Sequence, residues 1–279
     1  MLIRYTTAFL LLLLALTPAR AAAENRLRLV STDAAVTEIL VMLGVSDQLV
    51  ALDASSAMPA GQNLPRLGYH RALSAEGLLG LHPDLVIGSE SMGPPYVIES
   101  MARTGVQTLR LPSPGGLDEL GANVQAIAQA TGSDRGVSLL KQIRDQERQL
   151  VLGALYDLRA AFVLRAEGGK LRLAGAGTAG AGFLGLVGAE NVAEFSNYRT
   201  VTPEAILALD PDMLLFADTG GANVATLLEA YPVLRFSSAV VSGRVDTIDA
   251  ATLLAGISIS AAAEAQRIQD SVNSGQARR

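Results

Sequence analysis

The residues best equipped for chemistry stand together in Leu67-Gly-Tyr-His-Arg-Ala-Leu-Ser-Ala-Glu76. Tyr69 carries a phenol whose anion is a hard oxygen donor suited to ferric iron, including iron held axially in a haem. Its ordinary pKa is about 10 and must fall before it can ligate. Arg71, two residues on, brings a positive charge able to stabilise that phenolate. His70 lies between them and could assist or compete as a ligand, although neighbours on an extended loop point to opposite sides. The same residues have a plainer use, as a tyrosine packed at a sheet edge beside a solvated arginine, and the segment alone leaves both readings open. It follows a loop rich in Pro, Gly and Asn, Met58 to Pro65, and runs into a helix capped by Ser74. Strand–helix edges of this kind are where α/β sheets set their ligands.

Two carboxylates suggest a second role. Leu73 to Ile87 aligns without gaps on Val201 to Leu215, so that Glu76 maps to Glu204 and Pro83 to Pro211, each 128 residues on. In each copy a Ser or Thr caps a short helix, and the glutamate falls in its first turn, where the helix dipole favours negative charge. Pro-Asp then ends the helix ahead of an apolar strand. An offset near half the chain predicts a duplicated lobe. A third motif, Gly175-Ala-Gly-Thr-Ala-Gly180, fits Gly-x-Gly-x-x-Gly after a strand at Lys170 to Ala174, with Glu194 about 20 residues beyond. A nicotinamide-dependent enzyme using Gly175 to Gly180 is therefore a remote alternative. The stretch is, however, simply rich in glycine and alanine, and glycine also lets backbone approach a flat ligand closely. No Gly-x-Ser-x-Gly elbow, Walker lysine or His-Glu-x-x-His helix is present, so catalytic readings are thin and no enzyme is expected.

Composition narrows the classes further. The chain has 279 residues, no cysteine and two histidines, His70 and His82. Disulfide frameworks, thiolate metal sites, cysteine nucleophiles and three-histidine zinc sites are all excluded. His82 occupies a His-Pro-Asp turn where the second copy has Asp210, which reads as a solvated turn position. A net charge of −5 without any basic stripe argues against a nucleic-acid partner. Only Lys141 and Lys170 are lysines, so positive charge is mostly arginine, which is suited to paired contacts with carboxylates. Arg4, the apolar run Ala8 to Leu16 and Ala21-Ala22-Ala23 read as a secretory signal cleaved near Ala23. That run is too short to span a membrane, and no cysteine follows it to take a lipid anchor. The expected product is exported and monomeric.

Strands alternating with helices predict an α/β fold of two lobes with mainly parallel sheets. Strands are expected at Leu27 to Val30, Gln48 to Leu52, Leu85 to Gly88, Val106 to Leu111 and Met213 to Ala217. Helices are expected at Ala34 to Leu43, closed by Gly44, and at Val97 to Thr104, closed by Gly105. From Asp134 to Leu155 the apolar residues recur at helical spacing without an internal proline, predicting one connecting helix of roughly 20 residues and about 30 Å. The expected limits are a leader over 1–23, a first lobe over 24–132, an interlobe helix over 133–156 and a second lobe over 157–279.

Gly68-Tyr-His-Arg-Ala-Leu-Ser-Ala-Glu-Gly77, Leu81-His-Pro-Asp-Leu-Val86 and Ser89-Glu-Ser-Met-Gly-Pro-Pro95 resemble the periplasmic haem-binding proteins of bacterial haem ABC importers, class III solute-binding proteins. Asn197-Tyr-Arg-Thr-Val-Thr-Pro-Glu-Ala205 and Leu209-Asp-Pro-Asp212 resemble that family's second-lobe motif. The resemblance implies two lobes joined by a single helix, ferric haem gripped between them, Tyr69 as axial ligand and Arg71 supporting the tyrosinate. It implies that Glu76 and Glu204 meet arginines of an inner-membrane permease dimer, which works with its ATPase. Tyr198 and Arg199 stand where some relatives offer a second-lobe histidine, with Tyr198 lining the cleft or packing. The Gly-Pro-Arg segment that relatives often carry near the last helix, a propionate contact in the resemblance, is replaced around Gly256 to Ser260, so that contact is not carried over to this chain. A ferric siderophore or cobalamin carrier of the same fold is the alternative.

Overall fold

The computed structural model describes residues 26–218 and 220–276; the leader expected over residues 1–23 lies outside them. The first lobe is built from β1 (Leu29–Ser31), α1 (Ala34–Met42), β2 (Leu49–Leu52), α2 (Ala75–Leu79), β3 (Leu85–Ser89), α3 (Pro95–Arg103), β4 (Gln107–Leu111) and α4 (Leu117–Thr131). Its strands form one wholly parallel sheet in the order β2-β1-β3-β4. Short apolar runs such as Leu-Val-Ile at the start of β3 are buried throughout, as befits strands covered on both faces. Local signals set the helix ends. Asp33 accepts from the Val36 amide to start α1, and Gly44, with φ +73°, follows its last turn. The Ser74 hydroxyl accepts from the Gly77 amide to start α2, and the Thr202 hydroxyl does the same for Ala205 in the second lobe.

The connecting helix α5 spans Gly136–Leu152. Its 17 residues make it about 26 Å long, shorter than the expected helix over Asp134 to Leu155. Gly153 ends it, and two residues later the Leu155 amide is already bonded to the Val187 carbonyl. The fully buried Gln269 secures this corner by donating from Nε2 to the carbonyls of Leu150, Leu186 and Val187. A side chain on Gly153 would lie 2.6 Å from Gln269 Oε1, so the turn is built around a missing Cβ.

The second lobe contains β5 (Arg159–Arg165), β6 (Leu171–Ala174), α6 (Ala179–Val187), β7 (Glu190–Asn191), β8 (Tyr198–Val201), α7 (Pro203–Leu209), β9 (Met213–Asp218), α8 (Val224–Ala230), α9 (Ser238–Val241), β10 (Val245–Asp249) and α10 (Ile259–Gln276). Its sheet has the order β10-β9-β5-β6-β8, with β7 also paired to β5. Strands β5, β9 and β10 are mutually parallel, but β6 runs antiparallel to both β5 and β8. This sheet is therefore mixed. The repeat at an offset of 128 is visible in the backbone. His82 and Asp210 both adopt positive φ, 48° and 42°, ahead of the Pro-Asp turn. Asp84 then exchanges hydrogen bonds with the backbone of Arg28, and Asp212 does so with Arg159, at 2.8–3.0 Å. Each aspartate thus ties the strand after its turn to the strand that opens its lobe.

The lobes share apolar packing. One cluster of buried side chains runs from Leu40, Leu120 and Ile127 through Leu139 and Ile143 to Phe162, Phe183 and Leu215. Backbone contacts reinforce it, because a Cβ on Gly182 would meet the Gly115 carbonyl at 2.5 Å and one on Gly256 would meet the Pro114 carbonyl at the same distance. Glu38 of α1 accepts from the Ser260 and Ile259 amides at the start of α10, and burial pushes its carboxyl above the usual range. Continuous packing of this kind, flanking a helical connector, limits hinge motion.

Candidate functional site

All strands of the first sheet run the same way, so their C-terminal ends deliver loops to one edge. There the chain after β2 enters a buried knot: the Asp53 carboxylate accepts from the amides and hydroxyls of Ser55 and Ser56. Arg66 closes the knot by donating to the carbonyls of Asp53 and Ser56. Gly68, with φ +83°, then turns the chain, and its carbonyl accepts from the Ala54 amide. The Tyr69 and His70 carbonyls accept from the amides of Ala72 and Gly93, and Leu73 anchors the segment in the core. The segment is thus pinned along its backbone.

The bond from the Ala72 amide to the Tyr69 carbonyl closes a turn, so the segment is not the extended loop expected and the rings of Tyr69 and His70 do not point to opposite sides. Tyr69 is 45% exposed, whereas His70 is only 2% exposed. Arg71 and Glu76 face solvent. The Tyr69 and His70 rings are in contact, with centroids 4.1 Å apart and planes tilted by 48°. Neither ring nitrogen of His70 has a hydrogen-bond partner. Burial, then the neighbouring Arg71 charge, holds its pKa below the ordinary histidine value, so the imidazole is neutral.

Between the lobes lies a cavity of about 860 Å³. The first lobe contributes Ser113 to Gly115 on the β4–α4 connection and Glu119 in the first turn of α4. The second lobe supplies the larger part, including Phe162 and Leu164 from one face of β5, Leu253 and Leu254 ahead of α10, and Arg165, Arg172 and Tyr198. The Tyr198 hydroxyl accepts from the Gly180 amide at 3.2 Å. Burial raises its pKa, leaving a neutral phenol poorly suited to ligate iron. Arg172 lies over its ring at 5.3 Å. Arg165 pairs with Asp218 at 3.3 Å, and its Nε is buried without a partner. A hydrogen bond with Tyr231 is the main cause of its raised pKa.

Of the residues singled out in the sequence, Tyr198 lines this cavity, whereas Tyr69 and Arg71 are not among its lining residues. Arg199 points elsewhere. Its guanidinium lies 4.3 Å over the ring of Phe195, which packs with Ala161 and Val163 on the other face of the sheet. Strand alternation forces this, since adjacent residues of β8 project to opposite faces. Arg165 and Arg172 went unnoticed in the sequence. The available signal was two arginines flanking the Gly168-Gly169 hairpin, on strands with alternating apolar residues.

The Gly175–Gly180 run does not form a dinucleotide site. Such a site needs a parallel strand–helix–strand unit, but β6 is antiparallel to β5. The glycines serve packing: a Cβ on Gly175 would meet the Phe195 carbonyl at 2.2 Å, and one on Gly180 the Phe162 ring at 2.4 Å. Within the run, Gly177 lines the cavity beside Thr178, which caps α6. Close approach is therefore mainly protein to protein. Among the described residues no three or more His, Asp or Glu side chains gather as a metal-ligand cluster, and no helix is long and apolar enough to cross a membrane.

Solved structures with this arrangement include the periplasmic haem-binding protein HutB of Vibrio cholerae, with a TM-score of 0.82 and 32% identity over 89% of this chain and 99% of that one. A periplasmic haem-binding protein from Pseudomonas aeruginosa matches with a TM-score of 0.78 and 30% identity over 88% and 91%. Among curated proteins, a vitamin B12-binding protein of Vibrio cholerae is 30% identical over 102 residues, 36% of this chain, and the match spans only 37% of that relative's length. A family model described as periplasmic binding protein matches residues 29–252, and with the two-lobed fold already in view the chain belongs to that family.

Proposed function

We propose that this protein captures ferric haem between its lobes in the periplasm and delivers it to an inner-membrane ABC importer. The observation that carries the reading is the interlobe cavity of about 860 Å³, apolar along Phe162, Leu164 and Leu253 and lined by the arginines Arg165 and Arg172. A planar apolar macrocycle with two carboxylates matches that division of surface. Tyr69 supplies one hard oxygen donor, which suffices for iron that arrives inside a ring of nitrogen ligands. Arg71 stabilises the tyrosinate, and Tyr198 contributes an aromatic wall. Arg165 and Arg172 receive the propionates, compensating for the Gly-Pro-Arg segment absent around Gly256 to Ser260. Arg199, on the far face of the sheet, takes no part.

The similar solved structures, named as haem binders, cover nearly the whole fold, which favours haem over cobalamin. The vitamin B12-binding relative keeps cobalamin as the second reading. Titration with ferric haem separates them: a Soret shift with a tyrosinate charge-transfer band is expected. Binding of cobalamin without any change in the haem spectrum would overturn the proposal. In the Arg165→Ala/Arg172→Ala double variant, haem affinity is expected to fall on the order of tenfold to a hundredfold, from the loss of charge-assisted hydrogen bonds. Haem dimethyl ester, which lacks the carboxylates, should bind the variant and the parent alike; an equal loss with the ester would remove the propionate assignment.

Glu76 and Glu204 sit in the first turns of α2 and α7 at equivalent places in the two lobes. We read them as one carboxylate for each subunit of a permease dimer, with the first lobe ending near residue 132 and the second beginning near 157. Charge reversal at both, Glu76→Lys and Glu204→Lys, is expected to abolish uptake by the matched importer while leaving haem binding in solution unchanged. Undiminished uptake would rule out these docking contacts.

A further inference from the structure

His70 is buried without the bonds that ordinarily justify a buried histidine. Its side chain is 2% exposed and neither Nδ1 nor Nε2 has a hydrogen-bond partner. Unpaired buried polar atoms are costly, so hydrogen bonding within the protein does not account for an imidazole here. What the ring does touch is Tyr69, at 4.1 Å between centroids. The backbone around the pair is already fixed through Gly68, Tyr69 and His70, whose carbonyls accept from Ala54, Ala72 and Gly93. The freedom left to Tyr69 is rotation of its side chain, which is 45% exposed, and the His70 ring lies against it.

We infer that His70 is a positioning residue whose buried ring fixes the orientation of the Tyr69 phenol, acting through ring contact and not through its nitrogens. This rests on the reading of Tyr69 as axial ligand. Tilted aromatic pairs contribute in a range equivalent to roughly two- to tenfold in affinity. Freezing the tyrosine before the ligand arrives also lowers the ordering cost of binding.

Three variants test it in the full-length protein: His70→Phe keeps a ring, His70→Leu keeps bulk without one, and His70→Ala removes both. Each is titrated with ferric haem while the charge-transfer band and the low-temperature electron paramagnetic resonance spectrum are recorded. His70→Phe should retain the parental affinity and spectra, and melt at a higher temperature because no orphaned nitrogens remain. His70→Leu and His70→Ala should bind roughly two- to tenfold more weakly, with a shifted or broadened band. Should the alanine variant fail to fold, the leucine variant carries the test. Parental affinity and spectra in His70→Leu would overturn the inference, as would His70→Phe behaving like His70→Leu. A parent protein with no tyrosinate band at saturation would instead defeat the ligand reading itself, so the two failures are distinguishable.

Discussion

Tyr69→Phe is expected to bind ferric haem at least about a hundredfold more weakly than the parent and to lose the tyrosinate charge-transfer band. The substitution removes one oxygen and keeps the ring against His70, so the loop geometry at Gly68, Ala72 and Gly93 should persist. Groups that merely orient a metal ligand typically contribute ten- to a hundredfold to affinity, and removing the ligand itself should exceed that. Arg71→Ala belongs in the lower range, because it leaves the donor and withdraws only the charge that favours its anion. Absorbance titration of the three proteins measures this order. A Tyr69→Phe protein with the parental band and affinity would show that the iron is held elsewhere, and a loss larger in Arg71→Ala than in Tyr69→Phe would reverse the roles. The melting temperature of the ligand-free protein should barely move in either variant, since both side chains project outward from the loop.

Gly175→Ala should have the largest effect on stability among single-methyl additions to the glycine run. The new Cβ would stand 2.2 Å from the Phe195 carbonyl oxygen and 2.8 Å from that of Asn197, and both are backbone atoms with no rotamer to change. They also accept hydrogen bonds from the amides of Ala176 and Gly175, so relieving the clash means prising apart the junction of β6 and β8. Overpacking of this severity costs about 3 kcal/mol, which for a chain of this size lowers the melting temperature by roughly 6–12 °C. Thermal melts followed by circular dichroism provide the measurement. A variant melting with the parent would mean that this contact is not tight. If the run instead held a nicotinamide cofactor, adding that cofactor would raise the parent's melting temperature, and no rise is expected.

How far the sequence could be read depended on how far apart the interacting residues lie. Ser74, Thr202, Gly44 and the two Pro-Asp turns were legible because a cap or turn is decided within three or four positions. The length of α5 was not, because its end depends on Gly153 meeting Gln269, a side chain 116 residues away. Tyr198 and Arg199 illustrate a period that was available but unused: once the segment is a strand, only one of the two can face the cleft. For the glycine run the spacing matched a dinucleotide motif, yet spacing carries no information about strand direction. The antiparallel β6 decides the matter.

The amino-acid order by itself determined the alternating α/β character, the repeat at an offset of 128, the helix boundaries near their caps and the place of Tyr69 on a loop. All of these follow from periodicity and near-neighbour hydrogen bonds. Only the tertiary structure decided where the ligand space lies, that Arg165 and Arg172 supply its positive charge, and that His70 is buried against Tyr69 with its nitrogens unpaired. The physical reason is that a cavity is the gap left when distant segments stop at contact. Here it is bounded by Gly182 against Gly115 and Gly256 against Pro114, approaches that no local pattern encodes.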